Sequence, residues 1–174
     1  VLIGGDYKMN FINHLSIYGQ FLFDEFNFQH IFKHDGWWAN KYGIQAGIKY
    51  IDIVPNLDAQ LEFNMVRPFT YGHSENVNFT HYNQPLAHPL GANFYEGILN
   101  ARYQPLPALS INAKYIVAKV GDDTLINGTI SNYGGDIFRS TGSGGSLVTQ
   151  DLHNKLAQGA RGTINYFQLL VSYQ

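Results

Sequence analysis

Leu57, Ala59, Leu61, Phe63 and Met65 alternate with Asp58, Gln60, Glu62 and Asn64. A strand sends successive side chains to opposite faces, so this segment has one apolar face and one polar, charged face. Its length of about nine residues approaches the roughly 9–11 that a tilted strand needs to cross a bilayer. The pattern recurs along the chain. Residues 1–9 set Val1, Ile3, Tyr7 and Met9 against Asp6 and Lys8. Residues 14–24 set Leu15, Ile17, Phe21 and Phe23 against His14, Ser16, Gln20 and Asp24. Residues 42–51 set Tyr42, Ile44, Ala46, Ile48 and Tyr50 against Gln45, Lys49 and two glycines. Residues 96–104 set Leu99, Ala101 and Tyr103 against Asn100, Arg102 and Gln104, and residues 109–117 set Leu109, Ile111, Ala113, Tyr115 and Val117 against Ser110, Asn112 and Lys114. Residues 163–173 set Phe167, Leu169, Val171 and Tyr173 against Gln168 and Ser172.

The connections alternate in length. Tight turns are expected near 10–13, 52–56 and 105–108, where Asn and Pro punctuate the alternation. Long loops are expected near 24–41, 67–94 and 121–162, the last holding an extra short strand near 133–139 and a Gly/Ser-rich run over 140–146. Short turns at one end and long loops at the other match the periplasmic and extracellular ends of a bacterial barrel. A soluble antiparallel sandwich would also alternate. Against it stand the long strands, the systematic loop asymmetry, and aromatics near strand ends (Tyr7, Phe23, Tyr42, Tyr50, Tyr103, Tyr115, Tyr173) that suit interfacial girdles. The expected architecture is therefore all-β. It is an antiparallel transmembrane β-barrel of the outer-membrane type, one region over residues 1–174 with about seven or eight strands.

Composition agrees with interleaved membrane strands: 18 Gly, 12 Tyr and 12 Phe accompany only 14% charged residues. No run approaches ~18 consecutive apolar residues, so no transmembrane helix is expected. A net charge of −2 gives no electrostatic case for nucleic acid. The chain has no Cys, which removes disulfide, thiolate-metal and thiol-redox chemistry. No cofactor and no metal site are expected; His73, His81 and His88 have metal-binding side chains but no recognisable ligand spacing. There is no nucleophile elbow, phosphate-binding loop or HExxH motif, and the expectation is a non-enzyme.

Three groups of residues carry the candidate chemistry. Lys49, Asp58, Glu62, Arg102 and Lys114 point to the polar face and are expected to form a network of paired charges in a lumen, because a lone buried charge is costly. Trp37 and Trp38, beside Asn40 and Lys41, offer either a sugar-stacking platform or an interfacial anchor. Tyr71, His81, Tyr82, Gln84 and His88 complete the expected loop surface for a ligand. A hydrolase would instead need two of Asp24, Glu25, Glu62, Glu96 and His81 to converge.

The segments Asp24-Glu25-Phe26, Gly36-Trp37-Trp38-Ala39-Asn40-Lys41, Pro68-Phe69-Thr70-Tyr71, His81-Tyr82 and Gln84-Pro85-Leu86-Ala87-His88-Pro89-Leu90-Gly91-Ala92-Asn93 resemble the Wzi-like capsule-assembly outer-membrane barrels of Bacteroidota, including the RemB-type gliding-motility branch. Tyr133-Gly134-Gly135-Asp136-Ile137-Phe138 is similar too. The resemblance implies a barrel larger than this chain, of which the chain would be a C-terminal-half portion. It also implies a non-enzymatic role at the cell surface, in polysaccharide association or gliding motility. The expected partners are outer-membrane lipid, surface polysaccharide and other outer-membrane proteins, and the expected location is the bacterial outer membrane with the long loops extracellular. An accessory subunit of a larger secretion or motility complex and a barrel hydrolase are the alternatives.

Overall fold

The computed structural model describes residues 2–33, 37, 39–72, 80–82, 84–138, 147–148, 156–157 and 159–173. The alternating segments all form strands. In chain order the elements are β1 (Ile3–Ile12), β2 (Leu15–Glu25), α1 (Phe28–Phe32), β3 (Lys41–Val54), β4 (Leu57–Val66), β5 (Thr80–His81), β6 (Gln84–Pro85), β7 (Phe94–Leu106), β8 (Leu109–Asp122), β9 (Thr124–Ile126), β10 (Thr129–Asn132), β11 (Leu147–Val148) and β12 (Ala160–Tyr173).

Seven long strands make one antiparallel sheet in the order β1-β2-β3-β4-β7-β8-β12. The sheet is open, with β1 and β12 at its two edges. The all-β, antiparallel expectation therefore holds, and the sheet does not close on itself within the described residues.

The turns are tighter than the sequence predicts. They centre on Asn13-His14, Pro55-Asn56 and Pro107-Ala108, because the strands continue through register irregularities near Asn10/Ile12, Tyr50/Val54 and Tyr103/Leu106. The Pro55 turn is held locally. Asp52, at φ 55, accepts the Asn56 N–H at 3.0 Å, and its own N–H donates to Asp58 Oδ1 at 3.1 Å. Asp and Asn tolerate this left-handed backbone better than other non-glycine residues.

The loops hold more structure than expected. The first contains α1, started by Asn27, whose Oδ1 accepts the Gln29 N–H at 3.0 Å. The second contains the small β5–β6 hairpin. The third forms β9 and β10 instead of a strand at 133–139. Gly134 breaks that segment at φ 73; it accepts the Phe69 N–H at 2.9 Å, and a Cβ there would collide with Phe69. The Gly/Ser run over 140–146 lies outside the described residues.

The two faces of the sheet differ sharply. The outer face carries Ile17, Ile48, Leu61, Leu99, Tyr115 and Phe167 in one cross-strand row, and rows of the same character above and below it. Most of these large apolar side chains are exposed. Lys119, a charged position of this face, lies near the loop end. The inner face carries the row Asp6, Gln20, Gln45, Asn64 and Glu96.

The buried core is small and sits at the loop end of the inner face. There the inner side chains turn from polar to apolar (Leu22, Val66, Phe94, Val120), and Tyr71, Ala92 and Ile137 from the loops pack over them. Polar ties fix this cap. Asn93 Nδ2 donates to the Tyr133 carbonyl at 3.0 Å, and Asn132 Oδ1 accepts the Gly134 N–H at 2.8 Å.

Candidate functional site

The inner face forms a trough of three cavities that share lining residues. One of about 370 Å³ lies at the loop end, between Asp6, Gln20, Gln45, Asn64, His88 and Phe94. A second, of about 480 Å³, shares Asp6, Gln20 and Gln45 with it and runs on to Tyr18, Lys49 and Gln60. The third, of about 310 Å³, shares Lys49 and Gln60 with the second and ends among Asp58, Arg102, Lys114 and Gln168 at the turn end.

A hydrogen-bonded chain runs through the loop half of the trough. Gly47 makes it possible. Tyr18 and Glu62 flank Gly47 across three strands, and the Tyr18 ring lies where a Cβ on Gly47 would stand. The Tyr18 hydroxyl thus reaches over β3, donates to Glu62 Oε2 at 2.7 Å, and accepts from Gln60 Nε2 at 2.5 Å. Asn64 Nδ2 lies 3.1 Å from Glu62 Oε1 and 2.9 Å from Glu96 Oε2, joining the two carboxylates. His88 Nε2 stands 3.2 Å from the same Glu96 oxygen, and its ring stacks on Phe94 at 4.5 Å. The Leu90 N–H donates to His88 Nδ1, which places the proton of a neutral ring on Nε2, facing Glu96.

The predicted charge network takes a different form. Glu62 is held by Tyr18 and Asn64, neutral groups in place of a cation. Lys49, Asp58, Arg102 and Lys114 share the turn-end cavity, yet no ion pair within 4.0 Å joins them among the described residues. Asp58 and Arg102 are opposite each other across β4 and β7, and Asp58 Oδ1 bonds the Asp52 N–H at the turn.

The predicted loop surface divides into separate places. Tyr71 is buried in the cap, so it cannot stack on a ligand there. Burial, with the charge of Asp24 nearby, pushes its hydroxyl up to about 12. His88 points into the trough. His81, Tyr82 and Gln84 do meet on the exposed β5–β6 hairpin, where the His81 and Tyr82 rings touch edge to face at 4.3 Å and Tyr82 is 90% exposed. Trp37 stacks on His30 at 4.4 Å, and Trp38 lies outside the described residues. Arg67 positions the Trp37 segment: its guanidinium donates to the carbonyls of Asn40 at 3.0 Å and Trp37 at 3.3 Å. Burial lowers the basicity of that guanidinium.

Of the carboxylates proposed for a hydrolase, Glu62 and Glu96 converge through Asn64. Glu25 instead pairs with the buried Lys41 at 3.3 Å, which also donates to the Gly72 carbonyl at 3.0 Å. Asp24 is buried at the loop end of β2, and His81 is on the exposed hairpin. Among the described residues no three His, Cys, Asp or Glu side chains are placed to hold a metal ion.

Some aromatics of the outer face stand at two levels, while Phe63, Tyr115 and Phe167 lie between them. At the loop end, Phe23, Phe26, Phe28 and Tyr42 make a chain of ring contacts, with Phe23–Phe26 at 4.8 Å and Phe26–Phe28 at 4.7 Å. Tyr95 follows on β7. At the turn end stand Tyr50, Tyr103 and Tyr173. Tyr7 and Tyr115, expected near strand ends, are in mid-strand; Tyr7 lies over Gly19, and Tyr115 donates to Asn165 at 3.1 Å. Tyr50 follows Tyr42 by eight residues and Tyr103 follows Tyr95 by eight. Both levels step two residues toward the turn end between β3 and β7. Tyr173 repeats that step from β7 to β12.

No family model matches the chain, and no curated protein and no solved structure matches it.

Proposed function

We propose that the chain is part of the wall of an outer-membrane β-barrel, a non-enzymatic one, whose loop end engages surface polysaccharide. The observation that carries this reading is the exposed apolar outer face between two aromatic levels. An apolar patch beyond a few hundred Å² marks an interaction surface. Here it runs across all seven strands, with no Asp, Glu, Lys or Arg between the levels.

The stagger of the tyrosines supports a lipid partner. Two residues over two strands, at about 3.3 Å per residue and about 4.8 Å between strands, is a slope of about 35°. Strands of outer-membrane barrels tilt by roughly 35–45°. Eight residues along strands so inclined span about 22 Å across a bilayer, close to the apolar band of ~25 Å in such barrels. The open edges and the apolar side chains on both faces of β12 (Ile164, Leu170 and Tyr166 inside; Phe167, Leu169 and Val171 outside) support its being a portion of a larger barrel. For the loop end, the support is the exposed His81–Tyr82 pair and the Trp37–His30 stack, faces on which sugar rings pack.

A second reading is a lumen-side hydrolase, favoured by Glu62 and Glu96 meeting at Asn64 beside His88. Loss of glycoside turnover in Glu96→Gln would support it, and unchanged turnover would remove it. The main reading is tested by fractionating cells that express the native full-length protein, then capturing it from detergent-solubilised outer membranes for glycan analysis and mass spectrometry. The expected result is recovery in the outer membrane with polysaccharide that is lost in Trp37→Ala combined with Tyr82→Ala. A stoichiometric set of membrane proteins without glycan overturns the polysaccharide reading in favour of an accessory subunit. Recovery in the soluble fraction overturns the wall itself.

A further inference from the structure

We infer that the turn-end cavity of the trough is an anion site that takes the phosphate or carboxylate groups of an acidic solute or saccharide. This goes beyond the wall reading and does not rest on it, since the inner face carries the cavity whatever covers the outer one.

The argument begins with the sorting of charge along the trough. The loop half holds the carboxylates Asp6, Glu62 and Glu96. The turn-end cavity, of about 310 Å³, holds Lys49, Arg102 and Lys114 against the single carboxylate Asp58. Asp58 Oδ1 accepts the Asp52 N–H at 3.1 Å at the Pro55 turn, and this one carboxylate offsets only one of the three cations. Among the described residues no ion pair satisfies the three cations.

Register brings Arg102 and Lys114 together, with Lys49 three strand steps from Lys114 along the same row. Asn100 is opposite Lys114, and Arg102 is opposite Asn112, so Arg102 and Lys114 are diagonal neighbours across β7 and β8. Diagonal positions are about 7–8 Å apart, within reach of long side chains. Lys49 enters from β3 in the row of Gln60, Asn100, Lys114 and Gln168. Three cations against one carboxylate leave an excess of positive charge that a bound anion would offset. A guanidinium fork, two ammonium groups and the neighbouring amides of Asn100 and Gln168 are the donors that oxyanions use.

The test uses the full chain folded in a non-ionic maltoside detergent. Inorganic phosphate and tri-galacturonate are titrated separately by calorimetry at low and high salt. The expected result is saturable binding of at least one probe, weakened by salt. Arg102→Gln combined with Lys114→Gln should weaken it at least tenfold, and Lys119→Gln, outside the trough, should leave it unchanged. Phosphate alone would identify a phosphorylated ligand and tri-galacturonate alone an acidic saccharide; each supports the site. If the double variant fails to fold, Lys49→Gln and Lys114→Gln singly carry the test, each with weaker binding expected. Absence of saturable binding for both probes, or an equal loss in Lys119→Gln, overturns the proposal.

Discussion

Leu99→Arg separates a lipid-facing wall from a water-facing one. Leu99 lies four residues from both Tyr95 and Tyr103, opposite Leu61 and Tyr115, and is 45% exposed. Four residues are about 13 Å of strand, or about 11 Å of depth at the inferred tilt, so an arginine there would be near the centre of the apolar band. At the midplane of a barrel wall an Arg costs about 2–4 kcal/mol, falling to about 0–1 kcal/mol near the interfaces. On a water-facing surface the same change stays within about 0.5 kcal/mol. The assay is reversible urea unfolding of the chain folded into phosphatidylcholine vesicles, followed by the fluorescence of Trp37 and Trp38. Leu99→Arg should lose about 2–4 kcal/mol, Thr163→Arg at the loop-end level less than about 1 kcal/mol, and Gln20→Arg on the inner face, beside Asp6 and Gln45, less than about 1 kcal/mol. Equal costs at Leu99 and Gln20, or a negligible cost at Leu99, would refute the reasoning.

Three further outcomes are expected. Phe94→Ala removes a fully buried ring from the small core under the cap and should destabilise by about 3–5 kcal/mol, with new protease cleavage around residues 90–93; an unchanged cleavage pattern contradicts the cap. Gly47→Val should displace the Tyr18 ring and cost about 1–3 kcal/mol, and the cost should shrink in a Tyr18→Ala background, as a double-mutant cycle measures. Tyr71 has a folded-state value raised from 10.0 to about 12, so the folded state keeps this proton longer than the unfolded chain. The stability this gives is complete below pH 10 and should fall as the pH climbs from 10 to about 12, in step with a late tyrosinate absorbance step that Tyr71→Phe abolishes.

Alternation made the antiparallel sheet legible in the sequence, because a two-residue period encodes both the strand and its faces. Ile44/Gln45, Leu61/Glu62 and Leu99/Asn100 could each be assigned without partners, and the register confirms them. The cap was not legible. Leu22, Val66, Phe94 and Val120 interrupt the polar face only at the strand ends, and what makes them a core is Tyr71, Ala92 and Ile137 arriving from distant loops. The hydrogen-bonded chain was half visible. Glu62 and Glu96 were singled out, whereas Tyr18 was not, because its reach to Glu62 two strands away depends on the absence of a side chain at the intervening Gly47. Two inward glycines in an otherwise polar row were the available signal. Ion pairing was expected of Lys49, Asp58, Glu62, Arg102 and Lys114 from their shared polar face, but a shared face does not fix which side chains reach one another: Glu62 bonds Tyr18 and Asn64, and Asp58 Oδ1 bonds the Asp52 N–H. Grouping Tyr71 and His88 with His81 and Tyr82 failed for a similar reason. Loop position does not tell which aromatic turns inward to fill the space over a sheet.

The most direct measurement is a nitroxide scan of β7 from residue 95 to 103, one label at a time, on the chain folded into vesicles. The chain has no native Cys, so every label is unambiguous. Collision with oxygen should peak at positions 97, 99 and 101, with the greatest preference for oxygen over a water-soluble nickel reagent at 99. Positions 96, 98, 100 and 102 should be out of phase with them. Nickel access that is equal at odd and even positions, or that is greatest at 99, would contradict a wall whose outer face meets lipid.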